Sequence, residues 1–253
     1  MRAIILAAGF GSRLMPLTQN NPKCMVKYKN QELISYEIQA LKGAGIDEIA
    51  IVGGYLFDIL KNFIQERFGL NHFYINENYS STNMLYTLFC AREFLQTCIK
   101  DKQDLIVSYA DIVYFKDTIE LLKKAKDPLA IVIDEDWKKL WQRRFENPLE
   151  DAETLKIDKN NFIIELGKKA QNYDQIQGQY IGLFKISSDF LSSFIDFYDH
   201  LDRNALYDGK DFNNMYMTSF LQALIDHFHN AKVVRIQGNW CEIDFKSDLE
   251  IQI

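Results

Sequence analysis

The chain has 253 residues, with 29 Lys and Arg against 35 Asp and Glu, a formal net charge of −6, and 47% apolar against 25% charged residues. This composition excludes a disordered chain, and the acidic balance excludes a general nucleic-acid binder, which needs a basic face to release counterions. The longest apolar stretch, Ala3 to Gly11, is too short to span a bilayer. That stretch follows Arg2 as a signal peptide would, yet it runs into Gly9-Phe10-Gly11-Ser12-Arg13 without a small-residue cleavage site. Cys24, Cys90, Cys98 and Cys241 are scattered and form no CxxC, so reduced thiols are expected rather than disulfides or zinc. A soluble cytoplasmic protein without membrane contact is the expectation.

Ala3–Ala8 is a continuous apolar run ending in glycines, the pattern of a buried parallel strand. Glu32–Ala44 has apolar residues at helical spacing and is closed by Gly43 and Gly45. Glu48–Val52 predicts the second strand, Leu56–Phe68 the second helix and His72–Ile75 the third strand. A third helix is predicted over Met84–Ile99, followed by a strand at Leu105–Tyr109. This alternation implies right-handed βαβ crossovers, with ligands gathered at the carboxyl ends of the strands. Beyond the strand at Leu129–Ile133, a polar and aromatic stretch runs from Asp134 to Asp151. Short strands are predicted at Glu153–Ile157, Phe162–Leu166 and Tyr180–Ile186, and helices at Phe190–Tyr198 and Met215–Phe228. Val233–Ile236 and Trp240–Ile243 are expected to close the sheet. With four prolines, no linker and no repeat, residues 1–253 read as one α/β domain. Its predicted core is a Rossmann-like, mostly parallel mixed sheet flanked by helices, with an antiparallel elaboration in the second half.

The segment Leu6-Ala7-Ala8-Gly9-Phe10-Gly11-Ser12-Arg13-Leu14, with Pro16-Leu17-Thr18 and Pro22-Lys23 after it, carries the strongest chemical signal. A glycine-rich turn after a buried strand lets backbone N–H groups approach phosphate oxygens without Cβ interference. Arg13 and Lys23 place cations where a triphosphate would lie. The segment lacks the Lys-Ser/Thr of a Walker A loop, and Leu14 replaces the third glycine of a dinucleotide fingerprint, which weakens a nicotinamide-dependent reading.

Leu6 to Lys23 resembles the signature of the nucleotidyltransferases that activate sugar phosphates and alcohol phosphates. Val52-Gly53-Gly54-Tyr55, Glu165-Leu166-Gly167-Lys168 and Gln179-Tyr180-Ile181-Gly182 are similar to further motifs of that family. Trp240-Cys241-Glu242-Ile243-Asp244 resembles the ending found in its cytidylyltransferases for phosphocholine and related small phosphorylated alcohols and phosphonates. The resemblance implies CTP and a small phosphorylated acceptor as substrates and Mg²⁺ as cofactor. It also implies triphosphate binding by Leu6 to Ser12, with Arg13 and Lys23 acting on the reacting phosphates, and places Gly53, Tyr55, Asn78 and Asn83 on the nucleotide. Asn76, Glu77, Ser81 and Thr82 share that loop with Asn78 and Asn83; their amides and hydroxyls can read the edge of a pyrimidine base, or the cluster caps the third helix through Thr82 or Asn83.

Asp111 and Asp244 follow strand-like runs, so both can face the phosphates and hold Mg²⁺ through hard carboxylate oxygens; each also fits a plain turn residue. Glu165, Lys168 and Tyr180 are implied on the acceptor side. Trp137, Trp141, Arg143 and Arg144 read either as acceptor walls, with guanidinium groups for an acceptor carboxylate, or as packing and surface residues. His72, His200, His227 and His229 lack useful ligand spacing and read as structural or solvated. The rival readings are a sugar 1-phosphate nucleotidyltransferase and a catalytically silent nucleotide-binding domain.

Overall fold

Alternation along the first strand decides which helices lie on which side of the molecule. The computed structural model describes residues 1–253. In chain order the strands are β1 (Arg2–Ala7), β2 (Lys27–Tyr28), β3 (Gln31–Glu32), β4 (Ile49–Gly53), β5 (His72–Ile75), β6 (Leu105–Tyr109), β7 (Ile112–Val113), β8 (Leu129–Asp134), β9 (Glu153–Ile157), β10 (Ile163–Lys169), β11 (Gln179–Ile186), β12 (Ala231–Ile236) and β13 (Cys241–Glu242). The helices are α1 (Leu33–Gly43), α2 (Phe57–Phe68), α3 (Met84–Cys90), α4 (Arg92–Lys100), α5 (Lys116–Lys124), α6 (Trp137–Arg144), α7 (Ser188–Asp199) and α8 (Met217–Phe228). Seven strands form one sheet in the order β12-β8-β11-β6-β1-β4-β5. Its ladders are parallel except the two that β11 makes with β6 and β8.

Ala3, Ile5 and Ala7 join a core with α1, α2, α5 and α6, whereas Ile4 and Leu6 join a second core with α3, α4, α7 and α8. A period of two therefore sends alternate residues of β1 into two separate interiors. The mostly parallel mixed sheet flanked by helices is the expected fold, and its strand ends place the loops discussed below.

Four local expectations change. The helix predicted over Met84–Ile99 breaks at Ala91, because α3 packs on β1, β4 and α8 while α4 packs on α7. The polar stretch after Asp134 contains α6, whose Trp137, Leu140 and Trp141 are buried at helical spacing. The unassigned segment after β7 forms α5 by burying Thr118, Ile119 and Leu122. The last predicted strand does not close the main sheet: β12 holds that edge, and β13 pairs with β7 in a separate ladder. β9 and β10 likewise form their own antiparallel ribbon.

Behind β6, Glu37 of α1 is wholly buried and accepts a hydrogen bond from Ser108 Oγ at 2.7 Å. Burial raises its carboxyl well above the usual range; the Ser108 bond opposes that rise and Asp111 adds to it. A raised carboxyl stabilises the fold fully below its unfolded pKa of about 4.5 and loses that contribution as pH climbs toward the folded value. The unfolding free energy of Glu37→Gln relative to the native protein, read by chemical denaturation, should therefore increase from pH 4.5 upward, by up to about 1.4 kcal/mol per pH unit. A difference that stays flat with pH would show Glu37 ionised in the fold.

Candidate active site

β1 ends at Ala7, and the chain turns through Ala8 to Gly11 into a short 3₁₀ turn at Ser12–Leu14. Gly11 is left-handed, with φ of 67°, and a Cβ there would lie 2.8 Å from Lys23 Cβ. This close approach brings the Pro22-Lys23 turn against the loop. Buried Thr18 fastens the loop by donating to Gly11 O at 2.9 Å. Leu6, Ala7, Ala8, Gly9, Gly11, Ser12, Arg13 and Lys23 all line one lobe of a cleft, about 260 Å³ in volume. Asn83, which caps α3 through Met84 N–H, lies in the same lobe with Tyr79, Thr82 and Thr87.

Other residues expected on the nucleotide lie outside the cleft, and Tyr55 among them supports the loop. Tyr55 donates its N–H to Ala8 O at 3.2 Å and its hydroxyl to Gln19 O at 2.6 Å. Its ring meets the exposed Phe10 edge-on at 4.5 Å. Gly53 ends β4 under Phe57, and Asn78 donates its backbone N–H to Asn76 Oδ1. Asn76 is buried and donates to Thr82 and Thr87, each at 2.9 Å, which ties the loop to α3. None of Phe10, Gly53, Tyr55 and Asn78 lines the cleft.

At the floor, Asp111, Glu242 and Asp244 bring one carboxylate oxygen each within 4.8 Å of one another. Lys23 Nζ sits 2.6 Å from both Asp111 and Asp244, and Arg13 lies 2.9 Å from Asp244. Burial alone would raise the Asp244 carboxyl, but Lys23, Arg13 and Arg144 hold it below its usual range. Burial and the neighbouring Asp244 push the Glu242 carboxyl up to about 8, against the pull of Arg144. Asp111 Oδ1 is buried without a hydrogen-bond partner. An orphaned hard oxygen within a crowded set of carboxylates fits a divalent cation, which would supply a partner and relieve the repulsion.

Arg144 has no exposed side-chain surface and pairs with Glu242 at 2.6 Å, Asp248 at 3.3 Å and Asp244 at 3.5 Å. Asp248 in turn accepts the N–H groups of Asp244 and Phe245. This network holds the carboxylates rather than a ligand. Arg144→Lys keeps the charge but loses the planar fork. Chemical denaturation should show a loss of roughly 1–3 kcal/mol; a change under a few tenths would remove the network's stabilising role.

The second lobe, about 480 Å³, adjoins the first across Arg13, Asn83, Met84, Tyr109 and Asp244. Trp141 and Tyr180, both expected on the acceptor side, line it. The expected cationic pocket is absent: the lobe carries Asp151, Glu153, Glu242 and Asp244 against Arg13 alone. Arg143 is turned out to Gln252 O at 2.8 Å, and Trp137 is a core residue packed on Trp141. Glu165 pairs with Lys156 at 2.9 Å on the β9–β10 ribbon, with Lys168 4.0 Å away, and neither Glu165 nor Lys168 lines the cleft. Glu153 and Glu242 are functional candidates that sequence reasoning missed. Glu242 was legible, because i and i+2 positions of an extended segment share a side and Asp244 follows it by two. Glu153 carried no local signal.

The nucleotidyl transferase family profile matches residues 2–136. A relative from Campylobacter jejuni subsp. jejuni serotype O:2, named CTP:phosphoglutamine cytidylyltransferase, is 65% identical over 253 residues, covering 100% of this chain and 99% of the relative. The choline-phosphate cytidylyltransferase of Streptococcus pneumoniae is 44% identical over 98 residues, 38% of this chain and 41% of its own. Among solved structures, the inositol-1-phosphate CTP transferase from T. maritima superposes with a TM-score of 0.74 at 18% identity, covering 98% of this chain and 90% of that one. At that identity the likeness concerns the fold alone.

Proposed function

The chain belongs to the nucleotidyl transferase family, and on that premise we propose that it is a cytidylyltransferase moving CMP from CTP to L-glutamine phosphate with release of pyrophosphate. The observation that carries this reading is the 65% identity over the whole of both chains with the relative of that name. The cleft supplies what the reaction needs. Backbone N–H groups of the Gly9–Arg13 loop cradle the triphosphate, and Arg13 and Lys23 offset its charge. Asn83, Thr82 and Thr87 face the nucleoside end.

Asp111 and Asp244, with Glu242 beside them, would hold Mg²⁺, which when bound supplies positive charge to the phosphate being transferred. An oxygen of the acceptor phosphate attacks the α-phosphorus of CTP in line. As that P–O bond forms, the bond from the α-phosphorus to the bridging oxygen breaks, and pyrophosphate leaves with the electron pair. The attacking oxygen is already anionic, so no side chain has to remove a proton, and no histidine lines the cleft. Positioning and charge stabilisation by the chain carry the catalysis.

A pyrophosphate-release assay over the four ribonucleotides and a set of phosphorylated acceptors tests the reading. CTP with L-glutamine phosphate should give the highest kcat/KM. A clear preference for phosphocholine sinks the acceptor assignment alone, and a preference for UTP with a sugar 1-phosphate sinks both substrates. No helix is long and apolar enough to cross a membrane. We read residues 1–253 as one catalytic domain.

A further inference from the structure

Four carboxylates line the second lobe, and three of them already have partners within the chain. Asp244 is paired by Lys23 and Arg13, Glu242 by Arg144, and Asp151 accepts from Trp141 Nε1 at 3.0 Å. Glu153 differs. No lysine, arginine or histidine lies within 4.0 Å of its carboxylate, and no hydrogen bond reaches it. Its backbone is nevertheless fixed: Gln179 accepts the Glu153 N–H at 3.0 Å and donates back to Glu153 O. Gln179 is itself buried, with 3% of its surface exposed.

Glu153 is half-buried, and a partly desolvated carboxylate without a counter-charge carries a cost that a ligand's cation would offset. Burial, with Asp151 and Asp208 nearby, pushes the Glu153 carboxyl up to about 7, the direction that an arriving cation would reverse. The surrounding wall suits a compact ammonium on an organic stem. Trp141, Tyr180 and Tyr216 give it aromatic surface, and the Tyr180 hydroxyl is buried without a hydrogen-bond partner. No guanidinium other than Arg13 is present to prefer a carboxylate end.

We propose that Glu153 is the specificity residue for the acceptor and that it pairs with an ammonium group of the phosphorylated substrate. This assignment rests on the transfer reaction proposed above, and it names the end of the acceptor that is recognised. For L-glutamine phosphate the group is the α-ammonium, so selection acts on the charge of the amino acid backbone rather than on its carboxylate.

The test uses two matched pairs of acceptors with CTP. The first is L-glutamine phosphate and its analogue with hydrogen in place of the α-ammonium. The second is phosphocholine and its neutral isostere 3,3-dimethylbutyl phosphate. The native protein should favour the cationic member of the pair it turns over by about tenfold to a hundredfold in kcat/KM, mostly through KM, the scale of a charge-assisted contact. In Glu153→Gln that ratio should fall toward one, and Glu153→Asp should keep part of it. A ratio that survives in Glu153→Gln overturns the assignment, as does an equal loss with both members of the pair, which marks a structural role. Turnover of the choline pair alone, with the ratio collapsing in Glu153→Gln, sinks L-glutamine phosphate as substrate and supports the ammonium site. Turnover with neither pair overturns both.

Discussion

Asp111→Asn and Asp244→Asn should each lower CTP-dependent turnover by about 10³-fold while leaving the fold intact. The amide removes one formal charge from a set of carboxylates whose oxygens lie within 4.8 Å of one another. That charge is what would bind a hard cation, and an amide oxygen replaces it poorly. The two sites differ in surroundings. Asp244 is 6% exposed and is paired by Lys23, Arg13 and Arg144, whereas Asp111 meets Lys23 through Oδ2 and leaves Oδ1 orphaned. Calorimetric titration with Mg²⁺ separates binding from chemistry, and both variants should show weakened binding. Near-normal Mg²⁺-dependent activity in both would end the metal assignment.

Lys23→Ala should cost about 2.7–4 kcal/mol of transition-state stabilisation, or ~10²–10³-fold in kcat, as removal of a positioned electrostatic donor does. Pro22 before it restricts the approach of the chain, and Gly11 gives the aliphatic stem room against the loop. The structure adds a second consequence. Burial would lower the Lys23 ammonium's pKa, but Asp111 and Asp244 raise it, so the cation is firmly charged between them. Lys23→Ala should therefore melt earlier than the native protein without metal, and Mg²⁺ should restore more stability to the variant than to the native chain. A variant that raises only the KM for CTP would restrict Lys23 to ground-state binding.

The loop from Leu6 to Lys23 was legible because its requirements are local: a strand end, glycines without Cβ and cations at fixed offsets. β5 and β6 were legible to the residue, since apolar runs bounded by turns have few alternatives. The acceptor side was not. Arg143 and Arg144 are neighbours in sequence, but successive residues on a helix point about 100° apart, so one is buried in the carboxylate network and the other lies on the surface. Trp137 and Trp141, four apart, share the inward side of α6, and Trp141 alone also reaches the cleft. Glu153 of β9 and Gln179 at the start of β11 meet through hydrogen bonds across a separation of 26 residues. Contacts made across such separations leave no periodic trace in the chain.

The two lobes also divide the gene. Apart from Asp244, every residue lining the first lobe lies at or before Asp111, and the family profile ends at 136. Most of the second lobe, where we propose the acceptor binds, comes from Trp141 onward. Inheritance can therefore act on the two lobes at different rates. A change of phosphorylated acceptor would need substitutions mainly in the later half of the chain and would leave the first lobe and the matched family segment standing.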